Sequence, residues 1–127
     1  MKARNFIQFR NNKPQSKYHS ETQTVDGINF HSKFEAAYYS QLKIEKRVKL
    51  IKDFKRQVCF DLWAAVDSAN CKGEVKHVCC HIVDFLVVLP DGSQEVREVK
   101  GFATAEWDLK RKLFEANYPN IPYKVIR

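Results

Sequence analysis

Apolar positions recur along the chain with two different periods, and the switches between them predict its elements. Val25 Asp26 Gly27 Ile28 Asn29 Phe30 alternates about an Asp-Gly pair that favours positive φ, which predicts a short hairpin. Ser32 is a good N-cap, and Phe34, Ala37, Tyr38 and Leu42 recur at helical spacing. They predict a helix over about 33–47 with one side packed on a sheet. Gln57 Val58 Cys59 Phe60 Asp61 Leu62 Trp63 reads as a first strand, followed by a polar connection through Asp67 to Lys76. A long apolar run around Val83 and a second segment over 94–100 read as paired strands. After Gly101 a helix is predicted over about 105–118, with Leu109, Leu113 and Ala116 on one side and Trp107, Phe114 and Tyr118 on a neighbouring one. Tyr118 Pro119 Asn120 ends it, and Tyr123 Lys124 Val125 Ile126 closes the sheet. The order is helix, three strands, helix, strand: an α/β chain with no internal repeat.

One polar residue breaks this pattern. Asp84 lies inside the run Val78 to Leu89, and an unpaired buried charge costs several kcal/mol or neutralises itself. The turn that follows supplies a partner. Pro90 Asp91 Gly92 fits a three-residue hairpin loop, with Pro fixing φ and Gly taking the left-handed position. With Leu89 and Ser93 flanking the loop, pairing back along the strands sets Asp84 opposite Glu98. Like charges facing each other are destabilising unless a cation or a shared proton lies between them. Alternation puts Lys100 on the face of Glu98 and turns Val99 to the other face. A two-residue turn would instead move Glu98 to the opposite face.

Composition narrows the setting. With 127 residues, 44% of them hydrophobic and nine of them Phe, the chain is long enough to bury a core as one domain. No stretch approaches the roughly 20 apolar residues of a membrane helix, and the first residues lack a signal-peptide pattern. A soluble, cytoplasmic protein with no membrane partner is expected. The 22 Lys plus Arg against 15 Asp plus Glu give a formal charge of +7, which suits a polyanion. Lys2, Arg4, Arg10, Lys13 and Lys17 fall in a polar, acid-free stretch, so 1–24 is expected to be a basic, flexible arm and 25–127 a single domain. That arm is either a solvated tail or a nucleic-acid contact. Further basic groups are Lys43 to Arg56, and Lys110, Arg111 and Lys112.

With Asp84, then Glu98-x-Lys100, on a central hairpin in this element order, the chain resembles the PD-(D/E)xK nuclease superfamily. It is similar in particular to small phage-encoded endonuclease-like proteins related to Holliday junction resolvases and transposase endonuclease subunits. The matching segments are Val25 to Ala36, Val83 Asp84 Phe85, Val96 Arg97 Glu98 Val99 Lys100 Gly101, and Leu109 to Phe114. The resemblance implies a restriction-endonuclease-like core, a mixed sheet flanked by helices. It implies a Mg²⁺-dependent endonuclease acting on DNA, in which Mn²⁺ substitutes and no organic cofactor takes part; a phage-encoded form would work in the host cytoplasm. Residue by residue, Asp84, Glu98 and the Val99 carbonyl would ligate the metal. Lys100 would orient the attacking water and stabilise charge on the phosphate, and Glu35 would add a ligand or hold a water of the metal. Lys13, Lys17, Lys110, Arg111 and Lys112 would contact DNA. Branched or structured DNA is the expected substrate, because no separate sequence-reading module is visible. Cutting both strands calls for two sites, hence a homodimer by analogy.

The chemistry is reasonable apart from the family. Mg²⁺ prefers hard oxygen ligands and is usually held by one or two carboxylates plus substrate phosphate. Each residue also has a structural reading. Ser32-x-x-Glu35 is a capping box, Glu98 and Lys100 could be a surface ion pair, and Asp84 could bond a helix terminus. A nuclease-like fold that only binds DNA or protein is the competing function. His77, Cys79, Cys80, His81, Cys59 and Cys71 raise a zinc site, but none of the usual paired spacings is present. Core packing of free thiols is the expectation, without disulfides.

Overall fold

The computed structural model describes residues 21–66 and 73–127. They fall into two compact units dividing between Ala36 and Ala37. In the first, β1 (Gln23–Val25) pairs antiparallel with β2 (Ile28–Phe30). Asp26 at φ 53° and Gly27 at φ 76° make the two-residue turn, as the Asp-Gly pair predicts. Ser32 Oγ then accepts the Glu35 N–H at 3.1 Å and caps helix α1 (Lys33–Arg47), whose residues from Ala37 onward belong to the second unit.

The second unit is a four-stranded sheet in the order β3 (Asp53–Val66), β4 (Glu74–Val88), β5 (Gln94–Val99), β6 (Tyr123–Ile126). The first three strands are antiparallel, and β6 runs parallel to β5 after a crossover through α2 (Ala105–Asn117). The sheet is therefore mixed, and two separate clusters cover it. Tyr38 and Leu42 of α1 join Ile51, Phe85 and Val87 in one cluster; Phe114 of α2 joins Leu62, Val83, Leu86 and Val96 in the other. Arg97 ties α1 to β5 through Glu45 at 2.9 Å and the buried Glu95 at 3.0 Å.

Several expected elements differ in detail. Strand β3 begins at Asp53 rather than Gln57, because the basic residues Lys55 and Arg56 pair with Leu86 and Phe85. Tertiary pairing overrides the polarity of that stretch. On α1, Tyr38 and Leu42 are buried but Phe34 and Ala37 are exposed, and Ala36 is buried instead. On α2, the stripe through Trp107 and Phe114 is buried, while Leu109 and Ala116 face outward. The cap is Thr104, whose Oγ1 accepts the Trp107 N–H at 3.1 Å.

The sheet changes phase at one row. Cys79 and Val83 pack in the α2 cluster, yet Phe85 and Val87, of the same parity, pack in the α1 cluster. On β3, Phe54 belongs to the α1 cluster and Val58 and Phe60 to the α2 cluster. The pairs Arg56↔Phe85 and Val58↔Val83 bracket this row and set Gln57 opposite Asp84. Gln57 has φ 52°, a left-handed backbone that costs a non-glycine residue about 1–2 kcal/mol. The inward side of both strands switches there.

Candidate active site

The loop Pro90 Asp91 Gly92 forms as its residues predict. Leu89 N–H donates to Ser93 O at 2.8 Å, Asp91 accepts from Ser93 N–H at 2.9 Å, and Gly92 sits at φ 90°. The register it sets runs from Val88↔Gln94 to Phe85↔Arg97 and stops. One step further are Asp84 and Glu98, at the point where β5 leaves β4.

At that fork, side chains meet peptide groups of the opposite strand. Asp84 Oδ2 accepts the Val99 N–H at 2.9 Å, and Glu98 Oε2 accepts the Asp84 N–H at 3.3 Å. In extended backbone a residue's N–H and C=O leave the same edge of the strand, so the Val99 carbonyl also leaves toward β4. Glu98 is buried, 5% exposed, and Asp84 is half-buried. Burial, then the Asp84 charge and a hydrogen bond shared with Asp84, push the Glu98 carboxyl up to about 8. Near neutrality the pair therefore holds a proton that a cation could replace.

Glu98 and Lys100 line one open cleft of about 280 Å³, together with His81, Thr104, Trp107 and Lys110. Lys100 N–H donates to Ile126 O at 3.0 Å, which fixes its backbone, and its Nζ lies 5.2 Å from the centre of the Trp107 ring. Val99 packs on the other face against the α1 cluster, as alternation requires. Glu98 is also tied to Tyr123, and Tyr123 to the cleft residue His81. Tyr123 OH donates to Glu98 Oε2 at 3.0 Å, and His81 Nε2 lies 2.9 Å from the same phenol oxygen. Burial, then the charges of Lys110 and Lys100, hold His81 down to about 4, so it is neutral at pH 7. Burial and the neighbouring Glu98 raise the Tyr123 phenol above its ordinary value.

The other sequence-predicted residues are placed as follows. Glu35 is buried and lies in the first compact unit, whereas Asp84, Glu98 and Lys100 lie in the second. Lys13 and Lys17, with all of 1–20, lie outside the described residues. The run on α2 is extensively ion-paired: Lys110 with Glu106, Arg111 with Asp108 and Glu115, and Lys112 with Asp108. Such exposed pairs are worth at most about 1 kcal/mol each and open readily to a polyanion. Of the three, only Lys110 lines the cleft.

The cysteines correct an expectation. Cys59 and Cys80 are joined as a disulfide across β3 and β4, with Cα atoms 6.1 Å apart, and Cys79 is free. The pairs Cys59↔Ile82 and Asp61↔Cys80 make them diagonal neighbours projecting from one face, a relation that needs the β3–β4 register. Cys71 lies outside the described residues. His77 pairs with Asp61 at 3.0 Å, and among the described residues no group of three or more His, Cys, Asp or Glu side chains converges on a metal position. The pair of carboxylates with a nearby carbonyl suits a hard cation that keeps waters and takes ligands from a phosphate.

The sequence places Tyr123 only in a strand and Trp107 only on a helix face, and offers His81 only as a zinc ligand. Tyr123 was legible only as part of a strand, because its role depends on the parallel pairs Val96↔Tyr123 and Glu98↔Val125.

A family model described as "Protein of unknown function (DUF1064)" matches residues 15–127. No curated protein matches the chain, and no solved structure does.

Proposed function

The chain belongs to that family, DUF1064, and from its site we propose that it is a metal-dependent endonuclease of the PD-(D/E)xK type that hydrolyses phosphodiester bonds in DNA. The observation that carries this reading is the meeting of Asp84 and Glu98 where β4 and β5 part, with Lys100 in the cleft that Glu98 lines. A structural ion pair would not need two carboxylates facing each other. Asp84, Glu98 and the Val99 carbonyl would hold the cation, Mg²⁺ or Mn²⁺, which would supply Lewis-acid chemistry to the phosphoryl oxygens and to a water nucleophile.

The chain's own residues do the rest. Val99 N–H holds Asp84 Oδ2 in place, and Tyr123 holds Glu98 Oε2. Lys100, its backbone fixed by Ile126 and its amine resting near Trp107, presents a positive charge to the scissile phosphate and to the attacking water. Lys110, at the same cleft, guides the backbone of the substrate. Lys13, Lys17, Arg111 and Lys112 add salt-sensitive contacts. Branched or structured DNA is the substrate, and a homodimer would cut both strands.

The test incubates purified protein with plasmid and with four-way-junction DNA, in Mg²⁺ or in EDTA, beside Glu98→Ala. Cleavage by wild type in Mg²⁺ alone, with the variant binding but not cutting, is expected. Wild type that binds DNA yet does not cut it in any divalent metal, each supplied in turn, would overturn the enzyme reading in favour of a binding module.

A further inference from the structure

We propose that Tyr123 and His81 are positioning residues which fix the oxygen that Glu98 presents to the cation; this rests on the metal reading above. Each carboxylate of the pair has one oxygen committed to a donor. Asp84 Oδ2 takes the Val99 N–H at 2.9 Å, and Glu98 Oε2 takes both the Tyr123 O–H at 3.0 Å and the Asp84 N–H at 3.3 Å. Asp84 Oδ1 and Glu98 Oε1 are the oxygens outside these bonds. They are the two that a cation takes.

Donor arithmetic brings in His81. A phenol has one proton, and when Glu98 is ionised that proton belongs to Oε2. The 2.9 Å contact between His81 Nε2 and the phenol oxygen is then a hydrogen bond only if Nε2 carries hydrogen. His81 is buried, so this donor is not replaced freely by water. The Tyr123 ring is held independently of its hydroxyl. It stacks near-parallel on His81 at 20° and meets Phe114 edge-on at 5.3 Å and Trp107 at 6.2 Å. Tyr123→Phe therefore removes one O–H and leaves the packing.

A glutamate without its clamp keeps rotamer freedom that cation binding must then remove. Partners behind a metal ligand typically contribute about 10–100-fold in affinity. The experiment titrates Mn²⁺ into the full chain without DNA, following free Mn²⁺ by its electron paramagnetic resonance signal. Wild type, Y123F, H81L, H81Q and E98A are compared, with thermal unfolding of each run alongside. Y123F and H81L are expected to bind Mn²⁺ about tenfold more weakly at nearly unchanged unfolding temperature, and E98A to lose binding. H81Q, which keeps a donor N–H, is expected to stay within about threefold of wild type. If wild type binds while Y123F and H81L bind equally well, the positioning role is wrong and the metal reading stands. If wild type itself binds no Mn²⁺, both fall.

Discussion

Glu98→Gln should leave the protein's stability nearly unchanged at pH 5 and raise it markedly at pH 9. Gln resembles the protonated carboxyl: its carbonyl can accept the Tyr123 O–H and the Asp84 N–H, and its amide can donate to Asp84. Wild-type Glu98 sits at about 8 against an ordinary 4.5. Between those two values the folded chain keeps a proton that the unfolded chain has released, so stability falls as pH rises, and the loss is complete above the folded value. At about 1.4 kcal/mol per pK unit the loss at pH 9 is on the order of 5 kcal/mol, an upper figure because the fork relaxes and the pair shares its charge. Urea unfolding of both proteins at pH 5, 7 and 9 in EDTA gives the difference, from which other titrating groups largely cancel. A gap that widens by several kcal/mol toward pH 9 is expected. Adding Mn²⁺ at about 100 times its dissociation constant should return roughly 2.7 kcal/mol to wild type at pH 9 and little to E98Q. A gap that stays constant within about 0.5 kcal/mol across this range would refute the burial and charge argument for Glu98.

Three further outcomes follow from the same geometry. Gln57→Gly should stabilise the fold by about 1 kcal/mol in denaturant titration, since Gln57 holds φ 52° in a row shared with Asp84; destabilisation would mean that its side chain outweighs the strain. Lys100→Met should abolish DNA cleavage while Mn²⁺ affinity stays within a few-fold, because Lys100 reaches the cleft without bonding either carboxylate; retained cleavage would remove it from the chemistry. Leu62→Ala, at a fully buried site of the α2 cluster, should cost about 2–5 kcal/mol by urea unfolding, and a cost below about 1 kcal/mol would contradict its place in the core.

What could be read in the sequence was what local chemistry decides. Pro90 Asp91 Gly92 allows few loops, and the loop alone carries the register back to Asp84 and Glu98. Asp26-Gly27 and Ser32 likewise determine the first turn and the start of α1 from their own conformational preferences. The remainder depends on partners remote in the chain. Strand β3 takes in Lys55 and Arg56 because β4 offers them an edge, and no pattern within 53–57 announces it. The phase change at Gln57 and Asp84 is a backbone event, visible only once the two clusters are seen to use residues of one parity. Tyr123 reaches Glu98 because β6 lies parallel beside β5, a choice made by the crossover through α2. Leu109 and Trp107 lie on neighbouring apolar sides of α2, and packing on the sheet buries the side that carries Trp107.

The most direct measurement is a crystal of the protein soaked in Mn²⁺, with data collected at the manganese absorption edge. One or two anomalous peaks are expected within coordination distance of Asp84 Oδ1 and Glu98 Oε1, about 2.0–2.2 Å for a small hard divalent ion, with the Tyr123 hydroxyl still on Oε2. A map with no peak at this fork, or with manganese bound only elsewhere on the chain, would contradict the metal reading.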